Sequence, residues 1–163
     1  MRAADGVWAI GDATGHGAFT HVSMYEARIA GDDILGRRPD PADYRALPRV
    51  TFTDPEVASV GLSTRQAVER GLRVGAGAVS LASTSRGFVH GPGNEGVLKV
   101  VADLDARYLV GATAVGVSGG EVLGFLAVAV HARVPLTTLR SMIYAYPTFH
   151  RGIESAIQAI EPV

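Results

Sequence analysis

Near the C-terminus, Tyr146-Pro147-Thr148-Phe149-His150-Arg151 brings a phenol, an imidazole and a guanidinium close together in sequence, with Glu154 just beyond. His150 and Glu154 stand four apart, so on a helix they share one face. An imidazole titrating near neutrality beside a carboxylate is suited to general acid–base chemistry. Tyr146 can donate a hydrogen bond, but a phenol with an ordinary pKa of ~10 is a poor base. Arg151 stays charged and cannot stand in for a carboxylate. His150, Glu154 and Tyr146 are therefore the candidate catalytic residues. The plainer reading is a solvated His–Glu pair on a surface helix, or interface packing. At the other end of the chain, the apolar run Val7-Trp8-Ala9-Ile10 stops on Gly11-Asp12. A carboxylate beside a glycine can meet a ligand hydroxyl with no side chain in the way. Thr20-His21-Val22 then opens a helix, whose unpaired N–H groups and partial positive charge favour an electron-rich partner. Gly11, Asp12, Thr20, His21 and Val22 form the candidate cofactor-binding set.

Several other chemistries are excluded. The chain has no cysteine, so disulfides, thiolate metal sites and a cysteine nucleophile are absent from it. His16, His21, His90 and His131 show no metal-ligand spacing, and no metal site is expected. His131, on an apolar helix, reads as a core or interface histidine. Gly91-Pro92-Gly93-Asn94-Glu95-Gly96 matches the letters of a dinucleotide fingerprint, but that motif needs a strand before it and a helix after it. Here a strand follows, so a loop is expected. Net charge is −1, with 47% hydrophobic and 19% charged residues, an ordinary globular composition with no basic surface for nucleic acid or an acidic membrane. No apolar run approaches the ~20 residues of a membrane helix. Met1-Arg2-Ala3-Ala4-Asp5 carries no signal-peptide pattern. A cytoplasmic protein is expected.

The elements that must position these residues follow from patterning. Residues 6–12 read as a strand, 13–19 as a small-residue loop, and Thr20 as the cap of a helix from His21 to Ile34 with Gly36 past its end. Arg37 to Asp43, charged and proline-bearing, reads as a linker. Strands are expected over 49–53, 57–61, 72–81, 96–102 and 108–115, the last two joined by a hairpin turn at Asp103–Arg107. Ser63 caps a short helix closed by Gly71. Gly120 to His131 is apolar nearly all round and reads as a buried helix. Short helices are expected over 135–142 and from Pro147 to Ile160.

Two strings carry a family resemblance. Gly6-Val7-Trp8-Ala9-Ile10-Gly11-Asp12-Ala13-Thr14-Gly15 resembles the second FAD-binding motif of the pyridine nucleotide-disulfide oxidoreductases, of the dihydrolipoamide dehydrogenase and mercuric reductase type. Thr51-Phe52-Thr53-Asp54-Pro55-Glu56-Val57-Ala58-Ser59-Val60-Gly61 resembles the Phe-Thr-x-Pro-Glu-(Val/Ile)-Ala-x-Val-Gly string of that family's interface domain. The resemblance implies an α+β fold, an antiparallel sheet packed with helices, preceded by a strand–helix remnant of the FAD domain. It implies residues 1–36 as that remnant, 37–48 as linker and 49–163 as the dimerisation domain. It implies that Asp12 binds the ribityl chain of FAD, that the helix at Thr20 points at the flavin, and that Glu121, after Gly119 and Gly120, is a structural carboxylate at a helix start. A full-length enzyme of this kind passes hydride from NAD(P)H to FAD and electrons onward to a disulfide or other acceptor, as a homodimer held through residues 49–163. Alone, the chain is expected to bind no cofactor and catalyse nothing. The alternative is a stand-alone, non-catalytic homodimerisation module, or a partner of a separate FAD/NAD(P)-binding chain. One departure stands out. The family's His-Pro-Thr-x-x-Glu string has Tyr146 in its histidine position and Arg151 in its glutamate position, so the usual acid–base dyad is absent as a motif. A different substrate, a quinone or another acceptor is then expected.

Overall fold

The computed structural model describes residues 1–38 and 40–163; Pro39, part of the expected linker, lies outside the described residues. Contacts divide the chain into two units, Met1–Tyr44 and Arg45–Val163.

In the first unit, β1 (Arg2–Ala4) pairs antiparallel with β2 (Val7–Trp8) across a turn at Gly6. The strand expected over 6–12 is shorter than the sequence suggests. Gly11 has φ +71, outside the extended region, and its N–H leaves the ladder to bond a side chain, Glu26. A 3-10 turn, Gly11–Thr14, follows, and then α1 (Thr20–Ile34). Thr20 is not the cap but the first helical residue. Phe19 is extended in the cap position, and its carbonyl receives both the Val22 and Ser23 N–H groups. Val22, Glu26 and Ala30 recur every four residues on the buried face of α1. The Trp8 indole N–H donates to the Asp33 carboxylate at 2.6 Å.

The second unit contains β3 (Pro48–Thr51), β4 (Glu56–Gly61), α2 (Thr64–Glu69), β5 (Val74–Ser80), α3 (Ser85–His90), β6 (Val97–Asp103), β7 (Tyr108–Gly116), α4 (Gly119–His131), α5 (Leu136–Ser141), α6 (Gly152–Gln158) and β8 (Glu161–Pro162). Its strands form one antiparallel sheet in the order β3-β4-β7-β6-β5-β8. Alternation places Ala58 and Val60 of β4, Leu98 and Val100 of β6, and Ala112 and Ala114 of β7 on one face. α4 covers that face with Val122, Leu123, Leu126 and Val130, and α6 with Ile153, Ala156 and Ile157. On the opposite face α2 sets Ala67 against Val74 and Val101. The antiparallel sheet packed with helices is the expected fold.

Local chemistry explains the joints. Ser63 and Gln66 form a reciprocal capping box at the start of α2. Asp103 accepts the Asp105 and Ala106 N–H groups and so builds the β6–β7 turn. At Gly77 of β5 a Cβ would lie 2.0 Å from the Ala156 carbonyl, so glycine lets α6 sit directly on the strand. The Gly91–Gly96 segment is a loop between α3 and β6, the reverse of the order a dinucleotide fingerprint needs.

Three elements differ from expectation. α3 was not anticipated; it is capped by the Thr84 hydroxyl, which accepts the Gly87 N–H at 3.0 Å. β8 adds a short edge strand to β5. The last helix begins at Gly152, not Pro147, because the Thr148 hydroxyl donates to the Ala145 carbonyl and accepts the Arg151 N–H, holding 145–151 in a turn. His131 is exposed at the end of α4, so it is not a core histidine.

Candidate functional site

The late start of α6 changes the geometry of the C-terminal candidates. His150 precedes the helix and Glu154 lies within it, so the two do not share a helical face. His150 instead sits beside aromatic rings, with centroids 6.2 Å from Tyr144 and 6.5 Å from Phe125. Glu154 pairs with Arg151, Nη2 to Oε2 at 3.3 Å. Among the described residues His150 and Glu154 make no hydrogen bond with each other. Burial, and then the charge of Glu154, push the Tyr144 phenol above its ordinary value.

Arg151 organises this corner. Its guanidinium donates to the Tyr144 carbonyl at 3.3 Å, meets Glu154, and lies 5.6 Å over the centre of the Tyr146 ring. Tyr146 itself is 68% exposed, and its hydroxyl has no partner among the described residues. The ring is therefore held by Arg151 on one side while most of the residue stays open to solvent. Tyr146, Thr148 and Arg151 line an open cleft of about 170 Å³, with Arg86 of α3 on its wall. Such a constellation donates hydrogen bonds and positive charge; it holds no base.

The N-terminal candidates gather around a residue that sequence reading missed. Glu26 of α1 is fully buried. It accepts the Gly11 N–H at 2.5 Å, the Thr14 hydroxyl at 2.8 Å and the Tyr44 hydroxyl at 2.7 Å, with His16 Nδ1 at 3.5 Å. The His16 and Tyr44 rings stack at 4.0 Å. Burial pushes the Glu26 carboxyl up, but the hydrogen bonds and the imidazole outweigh it and hold the pKa below the usual 4.5. Burial, and then the hydrogen bond to Glu26 and its charge, drive the Tyr44 phenol up. A polar residue on the apolar face Val22–Glu26–Ala30 was the signal available in the sequence.

Glu26 thereby holds the turn that carries Asp12. The Asp12 side chain is exposed and has no partner among the described residues. Gly11 is buried, and a Cβ there would lie 2.5 Å from Ser23 Oγ. A free carboxylate on a fixed turn suits a polyol hydroxyl, so these residues fit a ribityl chain. Of the helix-start set, Val22 is buried and its N–H is already spent on the Phe19 carbonyl, which removes it as a ligand donor. Thr20 and His21 are exposed, and the His21 ring lies 5.1 Å from Phe19.

A further carboxylate proves structural. The start of α4 is capped not by Glu121, which is exposed, but by Glu56 of β4, which accepts the Gly120 N–H at 2.9 Å. This gives the Pro55-Glu56 pair of the interface string a purpose. It ties β4 to the helix that covers it.

Residues 47–157 match the family model for the pyridine nucleotide-disulphide oxidoreductase dimerisation domain. The chain belongs to this family. Relatives of this pyridine nucleotide-disulphide oxidoreductase chain include a dihydrolipoyl dehydrogenase of Chlorobaculum tepidum, 32% identical over 97% of this chain and 34% of that protein. Dihydrolipoyl dehydrogenase 2 of Haloarcula marismortui is 30% identical over 95% of this chain and 32% of its own length. Among solved structures, the HOCl-induced flavoprotein disulfide reductase RclA from Escherichia coli superposes with a TM-score of 0.84 at 29% identity, covering 96% of this chain and 36% of that one. The chain thus spans about a third of the length of the curated relatives it matches. The oxidoreductase dimerisation fold is intact here. Among the described residues no cluster of metal-ligating side chains occurs, and no helix is long and apolar enough to cross a membrane.

Proposed function

We propose that the chain supplies the dimerisation portion, and the end of the FAD-binding portion, of an FAD-dependent oxidoreductase that takes electrons from NAD(P)H. The observation that carries this is the dimerisation-domain match over 47–157 together with the free Asp12 carboxylate on its Glu26-braced turn. FAD supplies hydride acceptance and onward electron transfer when bound. Within this chain, Asp12 would hold ribityl hydroxyls, and the amides opening α1 at Thr20 and His21 would face the electron-rich edge of the ring. The FAD-domain remnant lies within Met1–Tyr44 and the dimerisation domain within Arg45–Val163, with the expected linker 37–48 spanning the boundary between them. The redox disulfide lies outside these residues, since the chain has no cysteine. The isolated chain therefore binds flavin weakly at most and turns over no substrate.

Homodimerisation runs through residues 49–163. Large apolar side chains stand in solvent there, with Ile143 96%, Phe88 85% and Phe52 82% exposed, which is what an unpaired interface looks like. Tyr146 takes the place of the acid–base histidine and acts as an oriented hydrogen-bond donor to the acceptor. Sedimentation equilibrium across a dilution series tests the dimer. A mass of two chains that persists to low concentration, and that falls to one chain in Ile143→Glu, supports it; a single-chain mass throughout sinks it. A stoichiometric, tight flavin titration would overturn the predicted incompleteness.

A further inference from the structure

The cleft beside Tyr146 has a charge pattern that the dimerisation role does not require. Its walls carry two arginines, Arg86 and Arg151, and no carboxylate. Arg151 is partly neutralised by Glu154 at 3.3 Å. Arg86 meets only the Phe149 ring, 5.7 Å from its centre, and has no carboxylate partner among the described residues. The Ser85 and Ser155 hydroxyls, also on the walls, make no hydrogen bonds within the described residues, and the Tyr146 hydroxyl makes none either. A small pocket with a cation lacking an anion, a second cation half-compensated, and three spare hydroxyl donors is short of one thing, an acceptor-rich anion. Guanidinium groups match planar and tetrahedral oxyanions by paired N–H donors. The volume of about 170 Å³ is below the range of pockets that enclose whole drug-sized ligands and suits a single group of one.

We propose that this cleft binds an oxyanion, the phosphate or carboxylate group of a small-molecule electron acceptor, with Arg86 and Arg151 as its cationic walls and Ser85, Ser155 and Tyr146 as donors. The identity of the ligand as an acceptor rests on the reading of Tyr146 given above; the oxyanion site does not. Arg151, where a glutamate would stand in the family's string, makes the site attractive to anions that a glutamate would repel.

The test is an NMR titration of the 163-residue chain with inorganic phosphate at constant ionic strength, following the arginine Nε–H and the Ser85–Gly87 amide signals. Saturable shifts at Arg86 and Arg151 are expected, with the dissociation constant raised at least tenfold in Arg86→Gln and kept within threefold in Arg86→Lys. Arg65→Gln, on the exposed face of α2, is expected to change nothing. A parallel acetate arm separates the two sources: saturation by both anions marks a general oxyanion site, and saturation by one names its class. Non-saturating shifts spread alike over Arg65, Arg73 and Arg86, or an unchanged constant in Arg86→Gln with native spectra, overturn the proposal. The titration needs neither flavin nor a partner, so it fails independently of the dimer measurement. A monomer that saturates keeps the site and loses the dimer; a dimer that does not saturate does the reverse.

Discussion

Replacing Glu26 by alanine is expected to unfold the first unit while leaving the sheet intact. The carboxylate serves three hydrogen-bond donors. Thr14 survives its loss, because the same hydroxyl also reaches the Gly11 carbonyl at 2.8 Å. The Gly11 N–H is buried and cannot turn to another acceptor, so it carries the full penalty of an unmet donor, about 1–3 kcal/mol. Tyr44 is half-buried and recovers part of its loss from water. Removing the buried side chain also opens a void. The sum is about 3–5 kcal/mol. Against this, a unit of 44 residues, Met1–Tyr44, has a whole stability of roughly 2–6 kcal/mol at ~0.05–0.15 kcal/mol per residue. Its apolar core is slight, with Val22 and Ala30 the buried hydrophobic side chains there. Glu26→Gln is far milder, about 1 kcal/mol. Its amide oxygen stays on the Gly11 N–H, and its NH₂ faces the Tyr44 and Thr14 hydroxyls, which turn to accept. The assay is urea unfolding read twice. Fluorescence of Trp8, the single tryptophan, reports the first unit, and far-UV circular dichroism reports the sheet and its helices. Glu26→Ala should abolish the cooperative Trp8 transition and spare most of the circular dichroism change. A Trp8 transition in Glu26→Ala at the unaltered midpoint would refute the bracing role of Glu26.

Other consequences follow from the same contacts. The folded Glu26 carboxyl titrates below 4.5, so its stabilisation is complete above that value and is lost as pH falls through the folded pKa; the Trp8 signal should collapse in acid before the circular dichroism does, and loss on raising the pH from 5 to 8 would contradict the sign. Glu56→Ala removes the carboxylate from the start of α4 and should cost about 1 kcal/mol in urea unfolding, with Glu56→Gln recovering most of it. Gly77→Ala forces a Cβ to 2.0 Å from the Ala156 carbonyl and should cost about 3 kcal/mol or more, whereas Gly124→Ala, with nothing within 4 Å, should be neutral or stabilising by up to about 1 kcal/mol. In Tyr146→His the introduced imidazole faces Arg151 and should titrate below the usual ~6.5, while adding Arg151→Glu should bring it above; equal values by NMR titration would show that residue 151 does not set the charge at residue 146.

Most of the sheet was legible in the sequence because its strands alternate cleanly over one buried face. Leu98 and Val100, or Ala112 and Ala114, announce both element and side. The α2 cap was legible from Ser63 alone, while its reciprocal partner Gln66 shows only in the structure. What was not legible depended on contacts distant in sequence or on elements too short to show a period. α3 has six residues and one sign, the Thr84 hydroxyl. The strand before Asp12 stopped early because Gly11 bonds Glu26, fifteen positions away. The apparent His150–Glu154 dyad assumed a helix running from Pro147. A single threonine, Thr148, delays that helix by closing a turn, and the two side chains part company. Asp12 and Tyr146 were legible as candidates from type and position. Their supports, Glu26 and Arg151, show their roles only in three dimensions.

Those supports work in opposite ways, and the difference bears on function. Glu26 is sealed from solvent and binds backbone and hydroxyl donors, so it fixes the shape of the Asp12 turn and leaves the Asp12 carboxylate free. Arg151 is half-exposed; it anchors to the Tyr144 carbonyl, leans on the Tyr146 ring and keeps charge directed into a cleft. The first arrangement is what a bound cofactor needs, a rigid acceptor for its hydroxyls that does not change between turnovers. The second, a cleft lined by Arg86, Tyr146 and Arg151, carries no carboxylate or imidazole on its walls. Under the proposed function it holds an acceptor by charge and hydrogen bonds rather than by exchanging a proton with it. A dimerisation domain built around Glu56 and Gly77 thus carries, in Tyr146 and Arg151, a corner whose charge suits an acceptor-rich anion.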